Sequence, residues 1–206
     1  MILAHARNKR IRLTTTYPLE RRLYFNAVEL DLLYSFMQDR DVRARRLGRK
    51  KHIRDYMIMD LLLRATMNPY ALCRIDYEHI DLERKTLVIP RLGARSVHNF
   101  HMSDDLTEHL RQYLTEMEID RGPLFSYCGK RVKYPSIRQI WFRTIKEANF
   151  KYSTPFIAKY TFLVNVYFQT DSLNIASRVC NRPKTICKKL LVGIKKEDYE
   201  KVYHLK

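Results

Sequence analysis

His98 and His101 are the closest pair of histidines in the chain and the first candidates for metal chemistry. They fall in a segment with strand character, where residues three positions apart point to opposite faces of a sheet. One ion therefore cannot be shared between them. Asp104 and Asp105 follow Ser103, so their carboxylates are expected to complement the positive end of a helix. These residues predict neither a metal site nor a bound cofactor.

Basic side chains dominate the chemistry that the sequence offers. The chain has 206 residues and carries 39 Lys and Arg against 22 Asp and Glu, a formal net charge of +17. Residues 40–54 and 128–159 each contain eight basic residues and one acid, and residues 178–189 contain five and none. Residues 104–120 instead contain six acids and one basic residue. Such clustering creates a strong field over one face and predicts a polyanionic partner, nucleic acid before an acidic membrane.

The location of the protein is predicted from its cysteines and from its N-terminal segment. The four cysteines form no CxxC pair, which argues against a zinc or redox motif and predicts free thiols. Met1 leads into a basic stretch with no apolar core, so no signal peptide is expected. No run approaches the roughly 18 apolar residues of a membrane span. We expect an intracellular, reducing location, either the cytoplasm or the host nucleoid or nucleus.

Apolar periodicity and turn residues predict a mostly helical chain with one small hairpin, an α+β class. The predicted helices cover 26–38, 53–66, 70–75, 104–118, 136–148, 154–168, 172–180, 183–191 and 196–204. Two strands are predicted over 84–90 and 96–102, and 123–132 forms a loop with room for one short strand. Residues 40–52 are expected to be a basic connector.

Several segments together resemble the catalytic domain of the tyrosine recombinase (phage integrase) family. The resemblance covers about residues 20–206 and rests on four stretches of scaffold, which are YEHIDLERKTLVIPR, MSDDLTEHLRQYL, YPSIRQIWFRTIKEANF and EDYEKVYH. It implies a recombinase catalytic-domain-like fold with a small antiparallel β-sheet. Active members of the family break DNA with a tyrosine nucleophile, while arginines and a lysine stabilise the phosphate charge of the transition state.

The first two catalytic positions of the family carry other residues here. Its first arginine follows a Thr-Gly-hydrophobic segment, and Asn68 stands at the matching position. Its hairpin lysine would fall near Gly93, between Arg91 and Arg95. Neither replacement reproduces the group that the family uses.

The remaining catalytic positions differ as well. The His-x-x-Arg box is matched by Phe156 and Lys159, a later histidine by Asn181, and the tyrosine, nine residues on, by Leu190. Lysine is a point charge and cannot make the bidentate phosphate contact of a guanidinium. We call these six residues the counterpart positions: Asn68, Gly93, Phe156, Lys159, Asn181 and Leu190.

With all six groups replaced, the resemblance implies a catalytically inactive protein that binds double-stranded DNA, because groups that act together in catalysis also fail together. Such a protein would serve as a transcriptional regulator or architectural factor of a virus or mobile element. Two alternatives stay open: a divergent active recombinase, and a module that partners an active recombinase. Tyr199 and Tyr203 are predicted to be packing residues of the tail rather than displaced nucleophiles.

The predicted organisation is a basic arm over 1–19 and a single recombinase-like domain over 20–206, with no N-terminal core-binding domain. Half of the usual clamp binds weakly, so a homo-oligomer or a partner recombinase is expected. Phosphate contacts are predicted for a set of basic residues in the clusters and beside the hairpin turn. They are Arg45, Arg46, Lys50, Arg91, Arg95, Arg138, Arg143, Lys159, Arg182, Lys184 and Lys188.

Overall fold

The computed structural model describes residues 19–65, 67–90, 97–151 and 154–200. In this part the protein is mostly helical with small antiparallel sheets, which confirms the predicted class. The helices are α1 (Ala27–Arg46), α2 (Lys50–Arg64), α3 (Pro69–Leu72), α4 (Asp104–Met117), α5 (Tyr134–Glu147), α6 (Ile157–Thr170), α7 (Leu173–Val179), α8 (Lys184–Leu191) and α9 (Lys196–Glu200).

The strands confirm the predicted hairpin and add three short strands. Strands β1 (Ile80–Asp81), β2 (Thr86–Pro90) and β3 (Val97–His101) form one antiparallel sheet in that order. The turn of the β2–β3 hairpin lies outside the described residues. A second hairpin pairs β4 (Ser126–Tyr127) with β5 (Lys130–Arg131), where the sequence predicted a loop with one short strand. Strands of two residues have no periodicity to recognise.

The predicted basic connector over 40–52 is wrong. Helix α1 continues to Arg46 and α2 begins at Lys50, so only a short turn separates them. Gly48 has a φ of 60°, a left-handed conformation that glycine adopts without steric cost, and it lets the chain reverse. The charged residues before Gly48 are good helix formers. The sequence predicted a connector there because a helix segment that faces solvent shows no repeat of apolar residues.

Two clusters of buried side chains hold the domain together. The larger joins α1, α2, α4 and α5 and includes Trp141, which is fully buried. The smaller joins the segment before α1 to α6, α7, α8 and α9. At the start of α1, the side chains of Asn26 and Glu29 form a capping box. None of the helices described here has the length and apolar character needed to cross a bilayer.

A histidine clamp ties α1, α2 and α4 together. His109 Nδ1 lies 2.7 Å from Asp60 Oδ2, and His109 Nε2 lies 3.5 Å from Asp41 Oδ2. Burial by itself lowers the pKa of His109, but the hydrogen bonds and charges of the two carboxylates outweigh it and raise the pKa to about 9. The imidazolium form is therefore the one that joins the three helices at neutral pH.

The clamp makes stability depend on pH in a defined direction. An unfolded histidine titrates near pH 6.5, so the stabilisation is complete below that pH and is lost as pH rises through 9. We expect the free energy of unfolding to fall by about 2 kcal/mol over this window because of His109. Urea unfolding of wild type and of His109→Gln, compared at each pH, isolates the effect from other titrating groups. A constant difference between the two proteins would contradict the prediction.

Candidate nucleic-acid interface

The counterpart positions at the starts of α3 and α6 lie together. Asn68 caps α3, where its side-chain oxygen accepts hydrogen bonds from two backbone N–H groups. Two residues on, Tyr70 packs against Phe156 with ring centroids 6.2 Å apart and stacks on Tyr134 at 4.4 Å. Lys159 Nζ lies 5.9 Å from the centroid of the Phe156 ring. An aromatic group of three therefore fills the space between these helix starts.

Lys159 is a half-buried cation beside a second cation. Its Nζ lies 5.2 Å from the centroid of the Tyr160 ring, and Arg182 Cζ lies 5.7 Å from the same centroid. Burial, and then the charge of Arg182, lower the pKa of Lys159 to about 8. Within the described residues no carboxylate forms an ion pair with Lys159. The pair is thus positive charge held against aromatic rings without internal compensation.

The last two counterpart positions, Asn181 and Leu190, each have a role in holding the fold. Leu190 is fully buried in the smaller cluster, and its carbonyl oxygen accepts a hydrogen bond from the Leu19 N–H at 3.1 Å. Asn181 is exposed and has a φ of 48°, a left-handed conformation that asparagine tolerates better than most residues. It ends α7 and turns the chain towards α8. Leucine supplies no proton or nucleophile, so this position packs rather than reacts.

Tyr199 is buried in the tail helix α9, in accord with the packing role predicted for it. Its ring stacks on Phe168 at 4.9 Å and its hydroxyl hydrogen-bonds Asn165 Oδ1. Burial, followed by the charges of nearby acids, raises the pKa of Tyr199 to about 12. A tyrosine nucleophile needs the opposite change. Tyr203 lies outside the described residues.

Helix α5 presents basic side chains on two sides. Arg138 is exposed, and its guanidinium lies 4.8 Å from the centroid of the Phe142 ring. Arg143, predicted to face outward, is half-buried and forms an ion pair with the buried carboxylate of Asp55 on α2. The helix begins beside the aromatic group, because Tyr134 is its first residue. Its start therefore adjoins the counterpart positions.

A cationic groove lies on the other side of the start of α5, with a cavity volume of about 590 Å³. Its walls are the first turns of α2 and α5 and the β4–β5 hairpin. Its charged and exposed aromatic lining residues are Lys51, Arg54, Asp55, Tyr127, Lys130, Arg131, Lys133 and Arg143. We call this feature the hairpin groove. Lys159, beside the aromatic group, and the hairpin groove place positive charge at two points around the start of α5.

Acids of α4 neutralise part of the 40–54 cluster. Arg45 forms ion pairs with Asp41 at 2.6 Å and with Glu116 at 2.5 Å, and only 15% of its side chain is exposed. Its phosphate contact stays a prediction, and it would require the guanidinium to leave one of these two carboxylates. Lys50 makes a looser, exposed pair with Glu118 at 3.4 Å. Arg46 is exposed.

The other predicted phosphate contacts fall in two places, on helix α8 and in the turn of the β2–β3 hairpin, which lies outside the described residues. Lys184 and Lys188 are exposed on α8, close in sequence to Arg182. The hairpin-turn candidates lie outside the described residues, and they are Arg91, Gly93 and Arg95.

Sequence reasoning missed the residues that form the hairpin groove. Lys51, Lys130 and Lys133 belong to basic clusters that the sequence identified, but their meeting depends on the approach of two segments far apart in the chain. Tyr127 was missed because it lies in a strand of only two residues. The signal that could have found it is an aromatic residue shortly before the basic pair Lys130 and Arg131.

Solved structures define the class of fold. The chain is similar to the XerA recombinase (14% identity, TM-score 0.67), covering 89% of this chain and 62% of that one. It is also similar to the XerH site-specific recombinase bound to its palindromic difH substrate (14%, TM-score 0.69, 85% and 50%). A third match is the Tn1549 transposon integrase in complex with transposon right end DNA (14%, TM-score 0.63, 90% and 64%). The protein therefore has a recombinase- and integrase-like fold, and it spans between half and two-thirds of these chains.

The sequence itself identifies the family. Residues 24–162, more than half of the chain, match the profile of the phage integrase family. The chain therefore belongs to the phage integrase family. No curated protein sequence matches it significantly.

Proposed function

We propose that this protein binds double-stranded DNA without cutting it. The observation that carries the proposal is that Leu190, which the resemblance matches to the family's tyrosine, is fully buried and has no nucleophilic group. The neighbouring counterpart positions support it, because Asn68 is engaged as a helix cap and Phe156 has no proton to exchange. Without a nucleophile and a guanidinium clamp, no step of strand cleavage has a group to perform it.

The duplex would lie along α5 and the rim of the counterpart positions. Arg138, Lys159, Arg182, Lys184 and Lys188 supply cations there, none of the five forms an ion pair within the described chain, and Arg138 is held only against the Phe142 ring. A helix with basic residues on both sides fits the major groove between two phosphate strands. Phosphate contacts would then provide most of the affinity, with a steep dependence on salt.

The biological role that we propose is regulation of transcription or shaping of DNA for a virus or mobile element. Residues 20–206 would act as one recombinase-like unit, with 1–19 as a basic arm. A unit of this kind grips the duplex from one side, so a second copy of the chain or a partner recombinase would provide further contacts.

Two measurements on the full chain test the proposal. Mobility-shift titration of a duplex should show binding that weakens by about two to three orders of magnitude between low and physiological salt, the change for about five phosphate contacts. Incubation with a nicked suicide duplex, followed by a denaturing gel, should give no covalent protein–DNA adduct. An adduct would establish a divergent recombinase instead. Failure to bind duplex at low salt would favour a module that acts through a partner protein.

A further inference from the structure

The hairpin groove has more positive charge than its own carboxylates compensate. Asp55 is buried and is already held by Arg54 and Arg143. Lys51 and Lys130, with Lys133 beside them, are exposed cations for which the described residues provide no ion-pair partner. The remaining positive charge is concentrated along the walls of one open groove, and clustered charge of one sign strengthens the local field. The groove is therefore prepared for an anion.

Both helices that start at the groove break the usual rule for helix N-termini. The N-cap residues are Arg49 for α2 and Lys133 for α5, neither makes a side-chain capping bond, and neither first turn contains an acid. Basic residues at this end oppose the helix dipole and reduce stability. An anion bound near these starts would reduce the penalty, because the helix dipole favours negative charge there. This feature of both helices adds to the charge of the groove as a reason to expect an anionic ligand.

An aromatic platform accompanies the charge. Tyr127 is 61% exposed, although it sits in a cavity wall, and Arg54 Cζ lies 5.3 Å from the centroid of its ring. Arg54 is itself fixed, since it bonds Asp55 and donates from Nη1 to the Ser126 carbonyl oxygen at 3.1 Å. The ring is thus supported by a guanidinium and leaves surface available for another flat group. Nucleobases stack on such rings whatever their sequence.

The groove has room for part of a single strand. Its volume of about 590 Å³ lies in the range of small-ligand sites, about 300 to 1,000 Å³, and one or two nucleotides fit a space of this size. An unpaired base can also lay its face on the Tyr127 ring, whereas the faces of a base inside a duplex are covered by its neighbours until it is flipped out. None of the five counterpart positions among the described residues lines this groove.

We propose that the hairpin groove binds single-stranded nucleic acid, with an unpaired base stacked on Tyr127 and its phosphates on Lys51, Lys130 and Lys133. This site is additional to the duplex surface along α5 that is proposed above. A strand end, a flipped base or a melted segment of DNA supplies such a ligand, and so does single-stranded RNA.

The test measures single-strand and duplex affinity separately on the full chain. Fluorescence anisotropy is recorded with three labelled ligands: an oligomer of about ten thymidines, a matched uridine oligomer and a hairpin duplex. About ten nucleotides is a length typical of single-strand sites. Tyr127→Ala is expected to weaken single-strand binding at least fivefold, the smallest effect of losing one stacked base. Tyr127→Phe keeps the ring and should bind like wild type. Lys130→Ala with Lys133→Ala should also weaken single-strand binding.

The control is Tyr77→Ala, which removes another exposed tyrosine that does not line the groove and should change neither affinity. Tyr127→Ala should leave duplex affinity within about twofold, because duplex contacts are made elsewhere. Binding of thymidine or of uridine supports the site, and the tighter one identifies the preferred source. No single-strand binding at low salt, or equal loss of both affinities in Tyr127→Ala, would overturn the inference. If the wild-type protein bound the single strand but not the duplex, the duplex-binding function proposed above would fall and the single-strand site would stand.

Discussion

Lys159→Met is expected to make the protein more stable and to weaken its grip on duplex DNA. Burial and the neighbouring Arg182 lower the pKa of Lys159 to about 8, so the charged form is held at a cost in the folded state at neutral pH. Methionine keeps the length of the stem and removes the charge. We expect the free energy of unfolding at pH 7 to rise by about 1–3 kcal/mol. Duplex affinity should fall about tenfold, the value of one charge-assisted contact.

The pH dependence of this effect has a fixed sign. Between pH 8 and 10.5 the unfolded lysine binds more protons than the folded one, so the wild type gains stability as pH rises through that window. The advantage of Lys159→Met should therefore shrink towards pH 10.5. Urea unfolding of both proteins across this pH range measures the change in stability, and fluorescence anisotropy with a labelled duplex measures the change in DNA affinity. Lys184→Met removes an exposed cation and should not change stability. A destabilised Lys159→Met, or one with unchanged DNA affinity, would refute the role given to this lysine.

Leu190→Ala should cost about 2–5 kcal/mol, the range for removing a buried leucine side chain. The residue is fully buried in the cluster that joins α6 to α8, and a cavity there has few ways to collapse. Leu190→Tyr should also destabilise the fold, by about 1–3 kcal/mol, because the ring overfills a packed site. It should form no covalent adduct with nicked DNA, since no guanidinium is added beside it.

A substitution at an exposed position serves as the control for the loss of a buried side chain. Ile175 on α7 is 45% exposed, and Ile175→Ala should change the free energy of unfolding by no more than about 0.5 kcal/mol. Chemical denaturation of the three variants measures all of these values. If Leu190→Tyr were as stable as wild type and trapped DNA covalently, the position would still be a working nucleophile site, and the proposal of an inactive protein would fall.

The sequence predicted those elements in which a repeat of apolar residues reports a buried face. Helices α4 and α5 and the β2–β3 hairpin were found in this way, with ends displaced by a few residues. The second half of α1 was missed because its outer residues are charged and solvated. Helix α3 was predicted too long, since its end at Leu72 depends on contacts with later elements rather than on local residues.

The sequence could indicate which positions belong to the candidate site, but it could not indicate which side chains surround each of them in the fold. The resemblance to the family matches Lys159 and Leu190 to catalytic positions, and this matching stays a prediction. Whether a cation is available depends on distant acids, and for Arg45 the deciding neighbour is Glu116, some 70 positions away on α4. The hairpin groove has the same character, because it exists only where α2, α5 and a short hairpin meet.

The N–H of Leu19 donates a hydrogen bond to the carbonyl oxygen of Leu190, so the first described residue is held against the last turn of α8. Side chains of both segments also pack in the smaller cluster. Two stretches far apart in the sequence are thus joined through backbone and side chains together. Local opening of α8 should therefore release the segment before α1 in the same step, and amide hydrogen exchange in the two stretches should show a common opening free energy.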